Sequence, residues 1–289
     1  MTEGEFIAAL RALAGNPAAR ALADDAAVLE VGGETLVLTH DVLVEGVHVL
    51  PGSDPADIAW KLVAVNLSDL AAKGAEPLGI LLGHMLGDGD ARFIEGLREV
   101  LAAYDVPLLG GDTVKGLGPR SWGVTAIGRA MHVPVPSRGG AEAGDGVFVT
   151  GVLGAAMLGH AALTGGAEAD TAAYLRPAPL LAEGRALAPH VTAMMDVSDG
   201  LLLDCWRLAG ASGVTLALDG AAIPVADERR RGECLRWGDD YQLLFTAPAD
   251  TALPVAASRI GTVVPLDGGH LRLDGRGLSL DDGLGYTHG

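Results

Sequence analysis

The chain has 289 residues, a formal net charge of -17, 49% hydrophobic residues and only 4% aromatic ones. That length accommodates two domains and a large core, which must be built from Ala, Val and Leu. The acidic balance offers no basic footprint for nucleic acid, and it repels free nucleotides unless metal ions carry them in. Cys205 and Cys234 sit in no CxxC or Cys/His spacing, so they read as reduced core thiols of a cytoplasmic protein.

Phe6, Ile7, Leu10 and Leu13 space an amphipathic helix at the N-terminus rather than a signal peptide. No apolar run reaches the roughly 18 residues needed to span a membrane. Residues 26–31 and 35–39 predict strands around a Gly32-Gly33 turn. Residues 54–73 predict a helix, with Trp60, Val63, Ala64, Leu67, Leu70 and Ala71 as its apolar stripe and Asn66, Asp69 and Lys73 on a second face. A strand over 78–85, a helix over 91–104, a strand over 106–109 running into Gly110-Gly111-Asp112 and a strand over 122–130 follow. A Pro-rich then Gly-rich connector, Val133 to Gly140, predicts a domain boundary near residue 136. Beyond it, strands are expected over 146–150, 192–196, 214–218, 241–246 and 259–264, and helices over 153–163, 180–187 and 199–209, with a surface loop over 165–170. Alternating strands and helices in both halves indicate an α/β or α+β protein of two layered domains.

Five stretches place carboxylates beside glycines or small residues: Asp24-Asp25, Thr39-His40-Asp41, Asn66-Leu67-Ser68-Asp69, Gly110-Gly111-Asp112-Thr113 and Asp196-Val197-Ser198-Asp199-Gly200. Acids gathered together repel one another and need a cation. Magnesium prefers a few carboxylates plus substrate phosphates. In the last stretch, helix capping accounts for Ser198 or Asp199 but leaves Asp196 unexplained, which favours metal ligation. The bare glycines at 110 and 111 let a phosphate approach the backbone, although any β-turn can look like this. Taken singly, Asp69 reads as a solvated helix face, Asp24-Asp25 as an acidic turn and His48 as a structural histidine. Their recurrence at strand ends is the argument for metal and phosphate chemistry. There is no G-x-x-x-x-G-K-[ST] loop, protein-kinase signature, GxSxG elbow or HExxH motif.

The blocks LADDAAV (22–28), LTHDVLVEGVHV (38–49), AVNLSDLAAKGAEP (64–77), GGDTVKG (110–116), SRGGAEAGDGVFVTG (137–151), MDVSDGL (195–201) and GDDYQLLF (238–245) resemble, in order, the thiamine-monophosphate kinase family. Single blocks are shared with its aminoimidazole ribonucleotide synthetase-like relatives. The resemblance implies a two-domain fold: residues 1–136 for ATP, Mg2+ and dimerisation through paired sheets, and 137–289 as a C-terminal α/β sandwich. It implies a homodimer that phosphorylates thiamine monophosphate with ATP and Mg2+, with potassium as a further candidate ion. By motif, Asp24, Thr39, His40 (through its backbone), Asp41, Asp69, Asp112, Asp196 and Asp199 are expected to hold magnesium. Tyr104, Gly111, Asp112, Arg138 and Ser198 are expected at the nucleotide, and His48, Asp239 and Tyr286 at the thiamine substrate. No general base is assigned, because the acceptor is already an ionised phosphate. The chain departs from the family at Ala23, His40, Lys73 and Trp237–Gln242, where Asp239 is one methylene shorter than the usual Glu. Two alternatives stand beside this: an ATP-using relative with another acceptor, and a nucleotide-binding homologue without turnover.

Overall fold

A computed structural model describes residues 3–165 and 169–287. Helix α1 (Glu3–Arg11) precedes the hairpin strands β1 (Ala27–Val31) and β2 (Glu34–Val44). Gly32 and Gly33 turn the hairpin at φ of 60° and 89°, a conformation that costs glycine nothing. Strand β2 runs further than the expected 35–39. Its inward row (Thr35, Val37, Thr39, Leu43) is buried, while His40 and Val42 face outward, and this alternation carries the strand past Asp41.

Helix α2 (Pro55–Ala72) starts where the Asp54 carboxylate accepts the Ala56 N–H at 2.9 Å. Strand β3 (Ala75–Met85), helix α3 (Asp90–Tyr104), and strands β4 (Leu108–Val114) and β5 (Ser121–Ala130) complete the first half. The five strands form one sheet in the order β1-β2-β5-β3-β4. Its inner face packs on α2 and α3 through Leu62, Leu67, Ile80, Phe93, Trp122 and Val124. The expected turn at 110–113 is instead strand: these residues lie inside β4, pairing in parallel with β3 at the sheet edge. Val106 and Pro107 fall before the strand.

The second half contains β6 (Gly146–Val149), α4 (Ala155–Gly165), α5 (Ala172–Leu175), α6 (Leu181–Leu187), β7 (Ala193–Asp196), α7 (Leu201–Ser212), β8 (Val214–Leu218), α8 (Arg231–Cys234), β9 (Leu243–Ala247), β10 (Ser258–Pro265), β11 (Leu271–Leu273) and β12 (Arg276–Leu278). Its sheet has the order β12-β11-β8-β10-β6-β9-β7. Strand β9 starts later than the expected residue 241, because Asp239 and Tyr241 take left-handed φ of 58° and 50°. Residues 166–168 of the loop expected at 165–170 lie outside the described residues.

The molecule is a two-domain α/β fold, and α2 is the element shared by both halves. Ala71 and Ala72 at its end pack with Phe148, Leu187, Met194 and Phe245 of the second half. Both cysteines are buried and free. Among the described residues no helix is long and apolar enough to cross a membrane.

Candidate active site

A cleft of about 520 Å³ opens between β2 and α2 on one side and the loop joining β7 to α7 on the other. Asp41 reaches it from the inward row of β2, where the Asp41 N–H donates to Asn66 Oδ1 of α2 at 3.0 Å. Asp69 lies three residues beyond Asn66, on the same helix face, and accepts a short hydrogen bond from the Thr39 hydroxyl. Asp196 ends β7 and accepts from the Ser68 hydroxyl at 2.5 Å. The turn that follows is pinned by Asp204 of α7, whose Oδ2 accepts the N–H groups of Ser198 and Asp199 at 3.1 Å each. The NLSD segment of α2 therefore ties β2 to β7.

Carboxylate oxygens of Asp25, Asp69 and Asp196 all lie within 4.8 Å of one another. Burial and the neighbouring carboxylates push Asp69 well above the usual range. Burial, with repulsion from Asp25, raises Asp196 to about 8. Burial likewise raises Asp41 to about 6 and Asp204 to about 7, with Asp25 and Asp199 adding to the former and Asp199 to the latter. Acids in this state call for a cation. An all-oxygen, partly buried carboxylate set is the donor chemistry of Mg2+, so the residues fit that ion.

Basic side chains surround the acids. Arg138, from the connector between the sheets, donates to Asp25 Oδ1 at 2.7 Å. Lys73 lies between Asp24 Oδ1 at 2.5 Å and Asp25 Oδ2 at 2.6 Å. Arg20 holds Asp24 Oδ2 at 2.5 Å and also donates to the carbonyls of Val135 and Pro136. Burial works to raise Asp24, but Lys73 and Arg20 outweigh it and hold the acid below the usual range. Arg207 of α7 pairs with Asp199 Oδ2 at 2.5 Å.

The other end of the cleft is aromatic. His160 packs on Trp237 and Tyr174, with ring centroids 4.8 and 5.2 Å apart. Lys61 lies 4.0 Å over the Tyr174 ring and pairs with Asp239 at 2.6 Å. The Tyr241 hydroxyl donates to Asp239 at 2.8 Å. Burial lowers His160 and raises Tyr174 to about 12.

Of the residues singled out from sequence, Asp24, Asp41, His48, Asp69, Arg138, Asp196, Ser198, Asp199, Asp239 and Tyr286 line this cleft. Asp24, expected as a ligand, has both oxygens occupied by Lys73 and Arg20, and its neighbour Asp25 is the one that converges with Asp69 and Asp196. The Thr39 hydroxyl is spent on Asp69. The His40 ring lies on the outer face of the sheet, 2.9 Å from the Thr125 hydroxyl. Gly111 and Asp112 sit on exposed β4, and Tyr104 packs edge-on against Trp60 instead of lining the cleft. Sequence reasoning passed over Asp204, Arg207, Lys61, His160 and Tyr174. It placed Asn66 and Ser68 in the NLSD stretch, and Asn66 on the helix face of Asp69, without giving either a role.

Residues 23–130 match the family described as AIR synthase related protein, N-terminal domain, and residues 142–274 match the corresponding C-terminal domain. A thiamine-monophosphate kinase of Salmonella typhimurium is 38% identical over 92% of this chain and 88% of its own length. The chain belongs to the thiamine-monophosphate kinase family. A solved structure of AaThiL complexed with AMPPCP and TMP covers 100% of this chain and 97% of its own, with a TM-score of 0.89 at 28% identity. The thiamine monophosphate kinase from Aquifex aeolicus gives a TM-score of 0.79 at 30% identity, covering 88% of this chain and 92% of its own. Against the thiamine-monophosphate kinase pattern, the departures at 237–242 fall at the aromatic end of the cleft, and Lys73 falls behind the acids.

Proposed function

We propose that this chain transfers the γ-phosphoryl group of ATP directly to the phosphate of thiamine monophosphate, giving thiamine diphosphate and ADP. The convergence of Asp25, Asp69 and Asp196 in one cleft, in a member of this family, is the observation that carries the reading. These three acids, with Asp41 and Asp199 at the rim, would hold Mg2+. Held by these residues, the ion would supply positive charge against the meeting phosphates and the charge that develops in transfer. Arg138 faces the cleft from the connector and suits a bidentate phosphate contact, with Ser198 beside it. The wall of His160, Tyr174 and Trp237 suits the cationic thiazolium and the neutral pyrimidine ring of thiamine, with Asp239, His48 and Tyr286 also lining the cleft. The acceptor oxygen is already ionised, so the chain needs to orient it rather than deprotonate it.

Two copies join through the outer face of the first sheet. Cross-strand register places Val42, Gly123, Gly83 and Asp112 in one row of that face, and Asp41, Val124, Leu82 and Gly111 in the adjacent inward row. Asp112 thus stands three strands from β2, roughly 14 Å at about 4.8 Å per strand. Asp112 serves a nucleotide bound across the joined sheets. Val42, Leu81 and Val114 leave apolar surface at 44%, 40% and 55% exposure, which favours a partner there. The two free buried thiols favour a cytoplasmic setting.

An acceptor panel tests the reading. With ATP and Mg2+, thiamine monophosphate should yield ADP, whereas formylglycinamidine ribonucleotide and selenide should not. ADP release with either of those and none with thiamine monophosphate overturns it.

A further inference from the structure

We infer that Lys73 is a built-in counter-ion of the metal site: it keeps the Asp24-Asp25 turn in place without metal and, by the same charge, weakens the cluster's hold on divalent ions. This deepens the function proposed above and rests on its metal assignment.

The Lys73 side chain is 0% exposed. Its ammonium donates to Asp24 Oδ1 at 2.5 Å and to the Met194 carbonyl at 3.1 Å, and pairs by charge with Asp25 Oδ2 at 2.6 Å. A lysine is almost never buried this fully unless paired. A purely structural pair is the plainer account, but Asp24 already has Arg20. The second carboxylate that Lys73 meets is the one that converges with Asp69 and Asp196.

Position makes the charge permanent. Lys73 caps the C-terminus of buried α2, and the next residue, Gly74, turns away at φ 60° against Ala188. Arg138, which holds the other Asp25 oxygen, is 21% exposed at the cleft and is free to turn to a phosphate. Lys73 has no such path. A fixed positive charge beside a ligand oxygen repels any divalent ion on that oxygen, which at a protein-interior dielectric weakens binding on the order of tenfold or more. The site then fills when nucleotide phosphates add negative charge, so metal loading follows ATP.

The test titrates the full-length protein with Mn2+ alone, without nucleotide, and follows the free ion by electron paramagnetic resonance. Lys73→Met and Lys73→Gln should bind Mn2+ on the order of tenfold more tightly than the parent. Their metal-free melting temperatures should fall by more than about 5 °C, since a buried acid loses its partner. Lys73→Arg, which keeps the charge, should hold the parent affinity within about twofold. Unchanged or weaker Mn2+ binding in the Met and Gln variants overturns the inference, as does an equal shift in the Arg variant or no Mn2+ binding by any form. If the neutral variants fold only with Mn2+ present, that supports the inference; if they stay insoluble with it, that counts against it. Thiamine diphosphate formation by the parent protein is a separate readout, so the two readings fail independently.

Discussion

At the residue scale, one position decides between two neighbouring acids. Asp24 and Asp25 are indistinguishable in the sequence, because a turn can aim either one at a cavity. The fold settles their roles by bringing Asp25 together with Asp69 and Asp196, while Asp24 stays between Arg20 and Lys73. Asp25→Asn should therefore reduce kcat by about 100-fold or more with the fold intact, in line with the loss of one transition-state electrostatic contact. Asp24→Asn should instead cost stability, about 3 kcal/mol in the free energy from urea unfolding, because it strands buried cations. Similar kcat losses in both, with no stability difference, would contradict this assignment. The raised acids set a pH dependence. Asp41, Asp196, Asp204 and Asp240, raised by burial from an ordinary 3.8 to about 6, 8, 7 and 7, keep protons that the unfolded chain releases. Stability must then fall as pH rises through roughly 4 to 8. Metal-free protein should melt at a higher temperature at pH 6 than at pH 8 in scanning calorimetry, with Mg2+ and ATP together recovering most of the loss at pH 8. Asp24 has the opposite sign, and its contribution disappears only in acid below the usual carboxylate range.

At the scale of elements, α2 was legible, while of β4 only the start at Leu108 and Leu109 was. The apolar stripe of α2 survives because its period is local information. Its full burial was not legible, since Asn66 looks polar until β2 pairs with it, and Ser68 and Lys73 until Asp196 and Met194 of the second half cover them. The residues at 110–113 carry turn chemistry, yet parallel pairing with β3 overrides it, a tertiary effect that no window of sequence contains. Helix α3 reaches α2 through Gly96, where an added Cβ would lie 2.2 Å from the Ala56 carbonyl oxygen. Gly96→Ala should cost about 2 kcal/mol in denaturant unfolding despite its better helix propensity. A neutral or stabilising result would mean the two helices are free to separate at that point.

At the scale of the molecule, Asp41 of the cleft and Asp112 of β4 belong to opposite faces of one sheet, and chain order could not reveal which face each one takes. The joined-sheet assembly makes a direct prediction. Asp112→Asn and Asp199→Asn should each be inactive alone, yet a mixture allowed to exchange subunits should regain activity, because one of its two sites is whole. Leu81→Glu on the outer face should shift the protein to monomers in light scattering and lose turnover. Failure of the mixture to recover, with exchange verified, would place Asp112 outside the reaction.

The most direct test of the central claim follows the transferred group itself. Protein, Mg2+, thiamine monophosphate and ATP carrying a labelled γ-phosphate should give thiamine diphosphate with the label on its terminal phosphate, one ADP per product and none of it with Asp25→Asn. Label appearing only as inorganic phosphate, with thiamine monophosphate unchanged, would contradict a cleft built to pass a phosphoryl group from nucleotide to thiamine.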